Sequence, residues 1–191
     1  MFAEQVVEAI NRLEPIVSKE PIDWRTVDKE GTTALLCISD FHAGLTFEIK
    51  GIYGETVNAY SFDVMQDRLW SLLGKIEADD IVFNDMTVAL CGDCFEGVLR
   101  ESSLVKLREP VVDTVIRFSE FMAHWLVKLS EKLDTKLNIV TIGGNHDIVR
   151  SLSSRPMFEG ENLTKLVVEF LKLRLKGINW IKVDDYQDVA I

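Results

Sequence analysis

The residues best suited to chemistry in this sequence stand directly after three apolar runs. Asp40-Phe41-His42 follows the run 34–39, Gly92-Asp93 follows the run 87–91, and Gly144-Asn145-His146-Asp147 follows the run 137–143. Each run is typical of a strand buried on both faces of a parallel sheet. Ligands of open α/β sheets bind at the edge where the carboxyl ends of the strands lie. The sequence therefore predicts one site built from three separate strand ends.

These turns offer a set of oxygen and nitrogen donors, namely Asp40, His42, Asp93, Asn145 and His146. Such donors suit Mn²⁺, Fe or Zn²⁺ better than metals that prefer thiolates. A central carboxylate such as Asp93 can bridge two ions, and two ions about 3.5–4 Å apart can clamp a phosphate and generate a hydroxide nucleophile. His146 could protonate a leaving alkoxide, because an imidazole is suited to that role at neutral pH.

Alternating strands and helices are predicted to position these turns. Apolar stripes favour helices over 2–17, from a Ser61 cap through 65–76, from Pro110 at a first helical position to about 133, and over 163–176. Apolar runs favour strands at 33–39, 87–91, 137–142 and 178–183, with a further candidate at 186–191. Segment 44–60 is interpreted as an irregular loop that could contain a short hairpin. The alternation predicts an α/β fold with a mostly parallel sheet and flanking helices.

Composition excludes several classes of function. The 191 residues, 47% hydrophobic and 27% charged, are typical of one globular domain. Three cysteines make no disulfide framework, and no apolar run is long enough to span a bilayer, so a cytoplasmic protein is expected. The net charge of −10 argues against broad attraction to nucleic acid, although bound divalent cations would reverse the field locally.

Taken together, the three motifs resemble the first three motifs of the calcineurin-like metallophosphoesterases. Within that family, the sequence resembles bacterial and phage members of the exonuclease-like type. The motif order agrees, and so does the spacing of about 50 residues between motifs. The resemblance covers roughly residues 33–183. It implies a calcineurin-like α/β sandwich that hydrolyses phosphoesters with two divalent ions (Mn, Fe or Zn) and a metal-bound hydroxide.

The resemblance also implies roles for individual residues. Asp40 and His42 would hold the first ion, Asp93 would bridge, and Asn145 would hold the second ion. His146 would be the general acid or a phosphate contact, and Asp147 would orient it. Glu96 stands where many members carry an acidic residue, and no direct metal role is assigned to it.

A phosphodiester, with nucleic acid as one candidate in a reaction of nuclease type, is favoured as the substrate over the alternative, a phosphoprotein. Arg100, Arg108 and Arg150 lie in the segments that follow the second and third motifs. They are candidates for contacts to a substrate phosphate, because a guanidinium binds phosphate as a bidentate fork. The alternative for each is a solvated surface arginine.

The sequence departs from the family at its C-terminal end. The family's later motifs supply three further histidines, whereas this chain has three histidines in all and His124 precedes the third motif. Residues 1–191 are therefore interpreted as one truncated domain, the N-terminal part of a longer one, with 1–30 as a helical extension. The first ion is expected to be better occupied than the second. The incomplete sheet would favour a homo-oligomer or a partner chain, so a non-catalytic module that acts through association is the alternative function.

A third interpretation is a thiol redox protein. Cys91-Gly92-Asp93-Cys94 has the spacing of a redox Cys-x-x-Cys motif after a strand. Because Gly92 and Asp93 already belong to the three-motif set, small buried cysteines are the favoured interpretation.

Overall fold

A parallel sheet supports the three turns. The computed structural model describes residues 7–8, 10–16, 32–79, 81–97, 107–149 and 161–186. Its elements in chain order are β1 (Thr32–Ile38), β2 (Phe47–Lys50), β3 (Thr56–Tyr60), α1 (Phe62–Ala78), β4 (Phe83–Cys91), α2 (Val111–Leu133), β5 (Lys136–Ile142), α3 (Thr164–Arg174) and β6 (Ile181–Val183).

The sheet contains four strands in the order β1-β4-β5-β6, and every neighbouring pair is parallel. Ile38 pairs with Leu90, and Leu90 pairs with Thr141, so the carboxyl ends of β1, β4 and β5 lie level. This register brings the three predicted turns to one edge. The prediction of an α/β fold with a mostly parallel sheet and flanking helices is confirmed.

The hydrophobic core lies between one face of this sheet and the helices. Met86, Val88 and Leu90 of β4 and Leu137 and Ile139 of β5 are buried in one cluster with the apolar stripes of α1, α2 and α3. Trp125 of α2 is fully buried, and its indole Nε1 donates to the main-chain oxygen of Leu69 on α1 at 3.0 Å. The apolar side chains that alternate along β4 therefore pack against the apolar stripes that recur every 3.6 residues along the helices.

The other face of the sheet is bare in the described part of the chain. Leu35 is 67% exposed, Cys37 and Cys91 are exposed, and Ala89 and Val140 are half-buried. Parallel sheets usually have both faces covered, which is why their strands are apolar on both sides. This face also carries polar residues such as Thr33 and Asp85, and the described contacts do not account for the apolar ones.

Segment 44–60, for which a loop or a short hairpin was expected, contains the antiparallel hairpin β2–β3. The hydroxyl of Tyr60, at its end, donates to the main-chain oxygen of Phe41. The hairpin is thereby attached to the turn that carries the first motif.

Some predicted boundaries were wrong. Pro110 is the cap of α2 rather than its first helical residue, because its ψ of 142° is extended while its carbonyl accepts from Thr114 N at 3.0 Å. β4 begins at Phe83, four residues before the predicted start, since its pairing with β1 continues through Asp85. Residue Ile178 lies in a turn, so β6 begins only at Ile181.

Parts of the predicted N- and C-terminal segments lie outside the described residues. Residues 7, 8, 10 and 11 of the predicted helix 2–17 are helical, and most of the remaining extension is not described. The candidate strand 186–191 has one described residue, Tyr186, which is not in a strand. None of the described helices is long and apolar enough to cross a membrane.

Candidate metal centre

The first two motifs are fixed side by side by main-chain hydrogen bonds that continue beyond the strands. Asp40 N donates to Gly92 O at 3.3 Å, and His42 N donates to Asp93 O at 3.0 Å. The next residue pair, Ala43 and Phe95, forms an isolated parallel bridge. The positions of the two motifs are thus set by backbone pairing, and their side chains are free to face one another.

Three of the predicted ligands have an unusual backbone conformation. The φ angles of Asp40, His42 and Asp93 are 57°, 43° and 50°. Residues other than glycine seldom adopt this left-handed region, and those that do are found disproportionately at functional sites. Here the conformation turns both chains sharply at the strand ends, so the side chains remain at the sheet edge.

The third motif presses against the second at glycine. A Cβ atom on Gly144 would lie 2.1 Å from Asp93 Oδ1 and 2.2 Å from Asp93 N, so this position accepts no side chain. Close approach lets His146 N donate to Asp93 Oδ1 at 2.9 Å. The carboxylate of Asp93 is therefore held by the third motif while it belongs to the second.

The ligand atoms of Asp40, His42 and Asp93 all lie within 4.8 Å of one another. His42 Nε2 is 3.9 Å from Asp40 Oδ1, and the other oxygen of Asp40 accepts from the Ser39 hydroxyl at 2.6 Å. Asp40 is exposed, whereas His42 and Asp93 are partly buried. The structure thus brings together the predicted ligands of the first ion.

A second cluster shares His42 and contains a residue to which the sequence analysis gave no metal role. Glu96 is only 5% exposed, and its Oε2 lies 3.1 Å from His42 Nδ1 and 3.8 Å from His146 Nδ1. The two imidazole rings meet edge to face with centroids 4.7 Å apart. In the sequence, the position of Glu96 three residues after Asp93 was the signal that it belongs near the site. Spacing alone does not reveal which imidazole a carboxylate contacts.

The carboxylate of Asp147, predicted to orient His146, contacts the main chain of the second and third motifs. It accepts from Phe95 N and Gly144 N, each at 2.9 Å, and the side chain is fully buried. Burial raises the pKa of this carboxyl group, and the main-chain donors oppose that shift. Asp147 therefore joins the second and third motifs through the backbone, while the imidazole of His146 contacts Glu96.

Helix α3 holds the third motif from the other side. Leu163 N, at the start of α3, donates to Asp147 O at 2.8 Å, and Asn162 Nδ2 donates to Gly144 O at 3.3 Å. Asn162 Oδ1 accepts from Thr164 N at 2.9 Å, which satisfies the first main-chain amide of the helix. The turn of the third motif is consequently clamped between β4 and α3.

The remaining predicted site residues are less informative. Asn145, the expected ligand of the second ion, is exposed in the turn after β5. Arg108 is exposed and lines a cleft of about 130 Å³ together with Gly44 and Arg117. Arg100 and Arg150 lie outside the described residues.

The cysteine pair of the redox interpretation is split between two environments. Cys94 is 0% exposed, and burial raises the pKa of its thiol well above the usual value. Cys91 is exposed on the bare face of the sheet. A buried thiol that ionises with difficulty is a poor nucleophile, so this arrangement does not favour thiol redox chemistry.

Comparison with known proteins gives a distant relative. No family model and no solved structure matches the chain. The SPbeta prophage-derived uncharacterized protein YonJ of Bacillus subtilis strain 168 is 23% identical over 195 residues. The aligned region is 98% of this chain and 45% of that protein, so the chain spans less than half the length of this relative.

Proposed function

We propose that the three strand ends form the metal site of a phosphoester hydrolase with a calcineurin-like metallophosphoesterase fold. The observation that carries the proposal is the convergence of Asp40, His42 and Asp93, from two separate strand ends, to within 4.8 Å. The third strand end adds His146, whose main-chain N–H holds Asp93. The bare face of the parallel sheet is in keeping with a sandwich fold of which this sheet is one layer.

The donor set fits a divalent cation. Two carboxylates and an imidazole offer hard and borderline ligands, and clustered carboxylates repel one another unless a cation lies between them. The described ion-pair partner of Asp40 is His42, and that contact is long, at 3.9 Å. A cation would relieve the repulsion between Asp40 and Asp93 and would account for the strained backbone that brings them together.

Each residue has a place in the proposed mechanism. Asp40, His42 and Asp93 would hold the first ion, and Asp93 with Asn145 would hold the second. When bound, such ions polarise a phosphoryl oxygen and lower the pKa of a bound water. The first site has three converging side chains, so it is the better defined of the two.

His146 is proposed to protonate the leaving alkoxide. Its Nδ1 lies 3.2 Å from the main-chain oxygen of Glu96, and a carbonyl oxygen accepts, so Nδ1 donates there. The other ring nitrogen, Nε2, is then the atom available to a substrate. It can donate only from the doubly protonated imidazolium, which becomes a neutral imidazole with its proton on Nδ1 as the leaving alkoxide takes the Nε2 proton. The ring is partly exposed at the sheet edge, which is the location that proton transfer to a leaving group requires.

The proposed substrate class is a phosphodiester, with nucleic acid as the candidate macromolecule. The relative is uncharacterised and names no substrate. A chain with a net charge of −10 repels long polyanions unless cations reverse the field at the site. A small phosphodiester is therefore the appropriate first probe.

The proposal is tested by Mn²⁺-dependent hydrolysis of bis-(p-nitrophenyl) phosphate by the whole chain. Asp93→Asn should abolish turnover, because the residue contributes to both ion sites. Asp67→Asn, an exposed aspartate on α1, is the matched control and should keep wild-type turnover. Full activity of Asp93→Asn would exclude the two-metal mechanism.

A second candidate function is a non-catalytic module that acts through association. The bare apolar face of the sheet favours it, because exposed apolar surface of this kind marks interaction sites. A homo-oligomer or a partner chain would cover the face. A wild-type chain that binds a second copy or a partner chain but does not hydrolyse the phosphodiester would favour this candidate over the hydrolase.

A further inference from the structure

Glu96 is a buried carboxylate whose described ion-pair partners are two imidazoles. It is 5% exposed, its main-chain N donates to Ala43 O at 3.0 Å, and its main-chain O faces His146 Nδ1. A buried carboxylate is costly unless it is hydrogen-bonded. Its contact with His42 Nδ1, at 3.1 Å, is within hydrogen-bond range, whereas the contact with His146, at 3.8 Å, is too long.

The short contact bears on which nitrogen of His42 carries the proton. An ionised carboxylate can only accept, so with Glu96 in that form Nδ1 is the donor. In the neutral imidazole, Nε2 then carries the lone pair, and Nε2 is the nitrogen that faces Asp40. A metal ligand must present its lone pair, and this orientation is normally fixed by a carboxylate or carbonyl on the other ring nitrogen.

His146 does not depend on the same carboxylate. Its nearest acceptor is the main-chain oxygen of Glu96, at 3.2 Å, which remains whatever side chain occupies position 96. The two imidazoles thus use different atoms of one residue. Substitution of the Glu96 side chain should act on His42 first.

We infer that Glu96 is the positioning residue of His42, fixing the tautomer and ring orientation in which Nε2 faces the proposed metal position. The expected effect on metal affinity rests on the proposed function. The expected tautomer and ring orientation of His42 concern the protein without metal. Glu96 thus has a role toward the first ion, although it is not itself placed among the ligands.

The test combines two measurements on the whole chain, with Glu96→Gln and Glu96→Ala as variants. Calorimetric titration with Mn²⁺ should show about 10- to 100-fold weaker binding for Glu96→Ala, the usual cost of losing such a partner. Glu96→Gln should lose less, because its amide oxygen can still accept. Glu77→Gln, an exposed glutamate paired with Lys132 at 2.9 Å, should bind like wild type.

The second measurement is nitrogen NMR of the His42 imidazole without metal. Wild type should show the form protonated at Nδ1, and Glu96→Ala should shift the population toward the form protonated at Nε2. An unchanged His42 tautomer in both variants would overturn the inference, whether or not Mn²⁺ binds.

The two proposals fail in different ways. A wild-type chain that neither binds Mn²⁺ nor hydrolyses the ester removes the proposed function, and the NMR result still decides the role of Glu96. If Asp93→Asn keeps wild-type affinity while Glu96→Ala and His146→Ala lose it, the ion is held by His42, Glu96 and His146 directly. That result would replace positioning by ligation and overturn the inference.

Discussion

At the scale of single residues, the site depends on where a side chain is absent as much as on where a ligand is present. Gly144 lies against Asp93, and Asp40, His42 and Asp93 all adopt positive φ angles. The sequence predicted the chemical types and their meeting at one edge. It could not predict the carboxylate contacts of Glu96 and Asp147, because these depend on side-chain direction within turns and not on periodicity.

Gly144→Ala should destabilise the protein by about 1–3 kcal/mol, the usual cost of forcing a methyl group into a packed site. The added Cβ would meet Asp93 N at 2.2 Å, and main chain cannot give way as a flexible side chain can. Urea unfolding with tryptophan fluorescence measures the change.

Gly74→Ala is the matched control for this substitution. Gly74 lies in the exposed interior of α1 with nothing within 4 Å of an added Cβ. Gly74→Ala should raise the free energy of unfolding by about 0.5–1 kcal/mol, because alanine loses less conformational entropy than glycine when a helix forms. Equal effects of the two substitutions would show that Gly144 is not a close-approach position.

At the scale of elements, the three strands that carry the motifs were predictable because each is a continuous apolar run before a turn signal. The extension of β4 to Phe83 was not, because Asn84 and Asp85 are polar. The strand continues there because Phe83 and Asp85 pair with β1 on either side of a bulge at Asn84. The hydroxyl of Thr33 donates to Asp85 Oδ2 at 3.2 Å in that pairing. Ile178 resembled strand in sequence but is buried in a turn, where its apolar side chain serves the same core.

The hairpin β2–β3 makes an element-scale prediction through Tyr60. Tyr60→Phe should cost about 0.5–1.5 kcal/mol, since it removes the hydrogen bond to Phe41 O, between the first two ligands. Urea unfolding at pH 7 measures this loss. A stability equal to wild type would show that the hairpin is not coupled to the first motif by this bond.

The same variant should change the pH dependence of stability. Burial raises the pKa of the Tyr60 phenol above its usual value of 10.0, and the nearby Arg68 opposes the shift. The folded protein therefore holds this proton more tightly than the unfolded chain. The resulting stability is fully present below about pH 10 and is lost as pH rises through the higher folded value. The free energy of unfolding of Tyr60→Phe should not show this loss when urea unfolding is repeated at increasing alkaline pH.

At the scale of the whole molecule, the parallel sheet is covered on one side in the described part of the chain. The relative is more than twice as long as the region it shares with this chain, which covers 45% of it. What covers the bare face was not predictable, because apolar strand residues indicate burial without indicating against what.

Leu35→Lys tests whether the bare face drives association. Sedimentation at increasing concentration should show self-association of the wild-type chain, and a hydrophobic dye should bind to it. Leu35→Lys should reduce both the self-association and the dye binding. Ile52→Lys changes an even more exposed residue on the hairpin turn, 90% exposed, and should leave both unchanged. Association that Ile52→Lys abolishes and Leu35→Lys preserves would place the interaction on the hairpin.

The central claim is that the ends of β1, β4 and β5 converge on a metal position. Anomalous diffraction from crystals soaked in Mn²⁺ tests it most directly. The expected result is a peak within coordination distance of Asp40, His42 Nε2 and Asp93, stronger than any peak beside Asn145. A peak beside Asn145 with the first position empty, or no peak at either position, would contradict the account.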